Sequence, residues 1–229
     1  ALARAGIAVE FGDETADLTG YRLVVVPMLY LLTDDFAKKL CDFAQNGGTV
    51  VVTYWTGVVD ESDLCRLGDT PYGLTGLLGL RRTEIDGMYD GETRRCTPAS
   101  GCALPEAQAS ILCEVAVPNG TDPAEPLSVY AEDYFAQHPA AAVHKYGAGR
   151  AYYLASRFDE DFYRAFYRDA AKELGLLPAW PQPLPAGVLV VKRGSYVFVQ
   201  NCTERPVTVG ESELPRYGTA VWNGAQRVL

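Results

Sequence analysis

The chain has 229 residues, of which 48% are hydrophobic and 21% charged, with a formal net charge of −9 at pH 7. This composition is globular, large enough for one α/β domain and a small second unit, and it contains no apolar run long enough to cross a bilayer. The acidic balance and the scattered Lys and Arg argue against a nucleic-acid partner and leave small molecules and proteins as candidate ligands.

In chain order, Leu2 to Ala5 read as the last turn of a helix, and Ile7 to Phe11 as a strand. Arg22 to Val26 is a near-continuous apolar strand ended by Pro27. Unbroken apolar runs of this kind are buried on both faces, which points to a parallel sheet covered by helices. Thr33 is a good N-cap, with Asp34 and Asp35 in the first turn, where the helix dipole favours negative charge. Phe36, Leu40 and Phe43 follow at helical spacing and Gly47 supplies the stop. The next stretch, Gly47 to Glu61 (GGTVVVTYWTGVVDE), puts a buried strand over Thr49 to Thr53, so residues 22 to 53 form a βαβ unit.

Glycines and Pro71 punctuate residues 63 to 85, where Leu74, Leu77, Leu78 and Leu80 suggest a short helix. Residues 86 to 102 look loop-like. Residues 111 to 116 and 127 to 131 read as strands of an antiparallel extension, with Pro118-Asn119-Gly120 as a turn between them. Tyr146 to Arg150 reads as a hairpin turn into a strand over Ala151 to Ala155. Asp159 caps a second helix with Phe162, Phe166, Ala170 and Leu174 on one face. Residues 178 to 187 hold four prolines and read as a semi-rigid linker. Beyond it, Val188 to Val191, Ser195 to Gln200 and Pro206 to Val209 alternate as short strands of a small all-β module.

In a parallel sheet the carboxyl ends of the strands are where loops gather and sites form. Here that place holds Tyr54, Trp55 and Thr56, then Asp60, Glu61 and Asp63. Paired carboxylates serve glycoside hydrolysis or hold a hard cation, and Asp86, Asp90 and Glu92 form a second acidic group. The plainer reading of both groups is a solvated turn or a capped helix start, because no metal-ligand spacing accompanies them. Trp55 could stack on a sugar ring or could simply be a core or interface aromatic. A nucleophile is missing from the strand end, since Thr56 has no base near it in sequence. Gly147-Ala148-Gly149 precedes a strand, so it is not a dinucleotide loop. The two histidines, His138 and His144, read as a turn residue and a structural residue. Of the six cysteines only Cys96 and Cys102 lie close enough in a loop-like stretch for a local bridge. No metal or other cofactor is implied, and without a visible targeting segment the cytoplasm is the expected compartment.

Several of these blocks resemble the C-terminal part of the family 42 glycoside hydrolases, the bacterial β-galactosidases. The carrying residues are Leu23 to Leu31 (LVVVPMLYL), Gly47 to Glu61, Leu67-Gly68, Leu78-Gly79-Leu80 and Glu84. Tyr146 to Tyr153, Phe162 to Gly175 and Asn201 extend the match over almost the whole chain. Trp55-Thr56 departs from the aromatic or small residue followed by Ser that many members carry. The resemblance implies an α/β domain used for trimerisation, with a mostly parallel sheet flanked by helices and similar in fold to class I glutamine amidotransferases, followed by a small antiparallel β module. On this reading residues 1–177 are the trimerisation-type domain, 178–187 the linker and 188–229 the small β domain, the first cut at its N-terminus and the last at its C-terminus.

The family's two catalytic glutamates belong to a TIM barrel, the acid/base one preceded by Asn. No Asn-Glu dipeptide occurs in this sequence, so no catalytic residue is carried over. The chain opens without an initiator Met and closes without a tail, as a fragment would, and a missing first strand is expected to leave a sheet edge open. The implied partners are the barrel of the same protein, two further copies in a homotrimer and the galactoside substrate of the parent, with no nucleic acid and no membrane. Trp55, Asp60 and Glu61 are then candidates for the substrate entrance or an interface. The alternatives are a carbohydrate-binding module presenting Trp55 and the β unit, and a stand-alone amidotransferase-like hydrolase.

Overall fold

The computed structural model describes residues 1–180, 182, 184–224 and 226–229. The chain divides into two compact units, residues 13–162 and residues 1–12 together with 163–229.

The larger unit is built on a mixed sheet. Its strands in chain order are β1 (Leu23–Val26), β2 (Thr49–Thr53), β3 (Leu80–Gly87), β4 (Arg94–Pro98), β5 (Ala107–Pro118), β6 (Glu125–Tyr130), β7 (Pro139–Tyr146), β8 (Gly149–Leu154) and β9 (Ser156–Phe158). They lie side by side as β1-β2-β8-β7-β6-β4-β5-β3, with β9 joined to β5. β1 pairs parallel with β2 and β2 with β8, Val51 lying opposite Val25 on one side and Tyr152 on the other. The remaining pairs are antiparallel. The α/β class read from the apolar runs holds, and the parallel part is confined to the β1-β2-β8 edge.

Helix α1 (Asp34–Gln45) starts where the sequence places it, with the Thr33 hydroxyl accepting from the Phe36 amide. Its inner face, Ala37, Leu40 and Ala44, packs with Val50, Val52, Tyr153 and the short helix α2 (Thr75–Leu78) in one apolar core. The helix end and the start of β8 meet very closely. A Cβ on Gly149 would lie 2.1 Å from the Gly48 carbonyl oxygen and 2.5 Å from that of Ala44. Only glycine lets these backbones approach so near.

Three expectations are corrected. Residues 7 to 11 form no strand: an extended segment needs a neighbour to complete its ladder, and among the described residues β1 pairs only with β2. β1 is therefore the sheet edge. Residues 86 to 102 are not one loop, because β3 runs to Gly87 and β4 carries Cys96 into the core. That position rules out the local bridge: Cys96 and Cys102 are both free, and burial pushes the Cys96 thiol up to about 12 and that of Cys113 to about 11. The turn at Pro118 to Gly120 lies between β5 and β6 as read, with β4 set between those two strands in the sheet.

In the smaller unit, α3 (Glu160–Glu173) contributes all but its first turn, and that turn is capped by Asp159, whose carboxylate accepts from the Phe162 amide at 3.0 Å. β10 (Val188–Arg193), β11 (Tyr196–Asn201), β14 (Thr219–Asn223) and β15 (Gln226–Arg227) make a four-stranded sheet, and β12 (Val207–Val209) with β13 (Ser212–Leu214) a hairpin. Their small core includes Val190, Val199, Leu214 and Trp222, against which Trp180 packs edge-on at 5.0 Å. Asn201 is buried there, its amide donating to the Arg205 and Pro215 carbonyls. Of the stretch read as a linker, Pro181 and Pro183 lie outside the described residues. No helix among the described residues is long and apolar enough to cross a membrane.

Candidate functional site

The end of β2 carries the residues that the sequence singles out. Tyr54 and Thr56 are buried, while Trp55 between them is half-buried. Trp55 has φ 63°, a left-handed backbone that a non-glycine residue adopts only when its surroundings hold it there. Its ring stacks on Tyr30 with centroids 6.1 Å apart and planes 15° off parallel. Tyr30 follows β1, and its segment runs beside the loop after Trp55: the Gly57 and Val58 amides donate to the Leu29 and Tyr30 carbonyls. Met28, Tyr30 and Leu31 are all exposed, Tyr30 at 38%. Desolvation and the hydrogen-bonded Asp63 carboxylate both push the Tyr30 phenol up from its ordinary value.

The neighbouring carboxylates have separate occupations. Asp60 accepts from the Ser62 amide at 2.9 Å and the Leu64 amide at 3.0 Å, closing a tight turn. Those backbone bonds, that of Leu64 first, hold its carboxyl below the usual value. Glu61 is exposed and lies 3.5 Å from the Arg66 guanidinium, which also meets Asp34 at 3.0 Å and stands over the Tyr72 ring. In the second acidic group, Asp86 belongs to β3, and Glu92 accepts from the Tyr89 amide within its own turn.

No activated nucleophile forms at this strand end. The Thr56 hydroxyl is fully buried and accepts from the Leu29 amide. His138 directs Nδ1 to the Phe135 carbonyl. His144 directs Nδ1 to the Leu77 carbonyl and faces Asp122 at 3.5 Å with Nε2. Among the described residues no group of three or more His, Cys, Asp or Glu is placed to hold a metal ion.

Beneath the turn lies a polar cluster that the sequence reading missed. Glu114 of β5, Arg82 of β3 and Tyr153 of β8 are all buried. The Arg82 guanidinium donates to the Glu114 carboxylate at 2.7 Å, and the Tyr153 hydroxyl donates to its other oxygen. Burial pushes the Glu114 carboxyl up from its ordinary value, against the opposing pull of Arg82. A faint signal exists in the sequence: Glu114 is the single charge in the apolar stretch Ile111 to Val117.

A family model for the β-galactosidase trimerisation domain matches residues 1–177. The chain belongs to this family. Among curated proteins, the chain is 41% identical to the β-galactosidase BglY of Alicyclobacillus acidocaldarius, over its whole length and 34% of that relative. It is 33% identical to the β-galactosidase GanA of Bacillus subtilis over 86% of the chain and 29% of the relative. Among solved structures, the β-galactosidase of Rahnella sp. R3 superposes on 96% of the chain with a TM-score of 0.86 and 36% identity, using 35% of its own length. The chain thus spans about a third of the length of the β-galactosidases it matches.

Proposed function

We propose that this chain is the assembly domain of a β-galactosidase. It holds three copies together in a cytoplasmic homotrimer, while a barrel domain of the same protein hydrolyses terminal β-D-galactosides with retention. The match of the trimerisation-domain family over residues 1–177 carries this reading. The state of the strand end supports a non-catalytic role: the place of a nucleophile is taken by Trp55, with Thr56 buried beside it and both histidines engaged elsewhere. The three parallel strands β1, β2 and β8, with the left-handed turn at Trp55, support a likeness in fold to class I glutamine amidotransferases without their chemistry. We read 1–177 as the assembly domain proper, 178–187 as the linker and 188–229 as a separate small β domain. The role needs no cofactor.

Within this reading, the turn bearing Trp55, Asp60 and Glu61 walls the substrate entrance or meets a sister subunit. The exposed Tyr30 beside the half-buried Trp55 supports this, since an aromatic wall with carboxylates near it suits a sugar, with its apolar faces and hydroxyl rim. Sedimentation equilibrium tests the assembly role: three times the 24.9 kDa mass of one chain is expected, and a monomer at micromolar concentration would oppose it. Micromolar affinity of this chain for free galactosides would instead favour a carbohydrate-binding module.

A further inference from the structure

The Trp55-Thr56 turn is gripped from below at both of its polar ends. The Trp55 amide donates to the Glu114 carboxylate at 3.0 Å, and the Thr56 carbonyl accepts from the Arg82 guanidinium at 3.3 Å. The same Arg82 nitrogen donates to the same Glu114 oxygen that receives the Trp55 amide, so carboxylate and guanidinium form one bracket around the turn. Tyr153, on the strand next to β2, fixes the other carboxylate oxygen. The bracket is drawn from strands far apart in sequence. In β3 the register shifts between Arg82 and Glu84, a bulge of the kind that redirects side chains.

Stability alone is a poor account of such a pair. Buried ion pairs are often no more stabilising than apolar residues of the same volume, and they are best explained where they fix one conformation among several. The conformation to be fixed is on hand: a tryptophan with φ 63°, which sterics disfavour. We propose that Glu114, with Arg82, is a positioning residue that locks the Trp55 turn and so holds the Tyr30–Trp55 pair in one orientation. Its consequence for galactosides rests on the entrance role proposed above.

The test separates positioning from folding. Trp55, Trp180 and Trp222 are the three tryptophans, and 5-fluorotryptophan labelling gives one fluorine resonance for each, with Trp55→Phe identifying the first. Glu114→Leu alone strands a buried guanidinium, so the informative variant is Arg82→Met with Glu114→Leu, which replaces the pair by apolar groups. This double variant is expected to unfold cooperatively at a lowered midpoint, because the Tyr153 hydroxyl, the Trp55 amide and the Thr56 carbonyl lose their partners, while its Trp55 resonance broadens or splits and the other two stay put. A single unshifted Trp55 resonance in the folded double variant would overturn the assignment. Should that variant not fold, the unsubstituted chain decides by amide exchange. The Trp55 amide is expected to exchange at least a hundredfold more slowly than those of Ser62 and Leu64, and equal rates overturn the assignment. In the β-galactosidase carrying this chain, the double variant is expected to raise KM about fivefold at constant kcat. A freed Trp55 with unchanged KM would refute the entrance role while leaving the positioning role standing.

Discussion

Asp60 shows how a candidate acid becomes a structural residue. Its carboxylate receives two backbone amides in its own loop, and these hold its pKa below the ordinary 3.8. A carboxyl with a lowered folded pKa contributes stability that is fully present above the unfolded value and is lost as pH falls through the folded one. The Ser62 and Leu64 amide resonances are therefore expected to move together as the carboxyl is protonated, with a midpoint on the acid side of the ordinary carboxyl value. Asp60→Asn is expected to abolish that titration, which a two-dimensional NMR series would read directly. Gly149 is the opposite kind of residue, defined by an absent side chain. Gly149→Ala sets a methyl against two backbone carbonyls that cannot swing aside, and it is expected to cost about 1–3 kcal/mol or more, seen as a lower urea midpoint. The place of Trp55 and Asp60 at the strand end was legible from order along the chain. The Trp55 partners Tyr30 and Glu114 were not, because ring stacking and buried pairing depend on strands that meet only after folding.

At the scale of elements, legibility followed locality. Helix α1 was readable because Thr33, Asp34, Asp35 and the spacing of Leu40 act within a few residues of one another. Thr33→Ala removes the hydroxyl that caps the Phe36 amide and is expected to destabilise the larger unit by about 1 kcal/mol, measured by denaturant unfolding. The hairpin between β7 and β8 was equally local, resting on Gly147 with φ 57°. Strands were read less well, since a ladder is made by neighbours. Ile7 to Phe11 has the composition of a strand, yet Phe11 is fully exposed and the segment joins no sheet. Residues 94 to 98 have a polar composition, yet they form β4 because β5 and β6 offer ladders on both sides. The parallel edge was overestimated for the same reason: a short apolar run reports burial on two faces but not the direction of its neighbour.

At the scale of the whole molecule, the question is where hydrolysis would have to come from. A retaining glycosidase needs two carboxyls about 5–5.5 Å apart, one ionised as nucleophile and one protonated as acid. The strand end offers four carboxylates, and each is committed otherwise. Asp60 is tied to its own loop, Glu61 is exposed beside Arg66, Asp63 is hydrogen-bonded to the Tyr30 hydroxyl, and Glu114 is sealed from solvent against Arg82 and Tyr153. Glu114, whose carboxyl burial raises, has no access to a sugar, and Asp60, whose carboxyl its loop amides lower, is unsuited to the acid role. Hydrolysis of a chromogenic β-galactoside by this chain is therefore expected to be indistinguishable from buffer. Glu61→Gln is expected to change nothing in this chain, because the carboxylate it removes has no partner for the reaction. Turnover that vanished with Glu61→Gln would refute the assembly role outright, since it would place the chemistry on the surface assigned here to shape and contact.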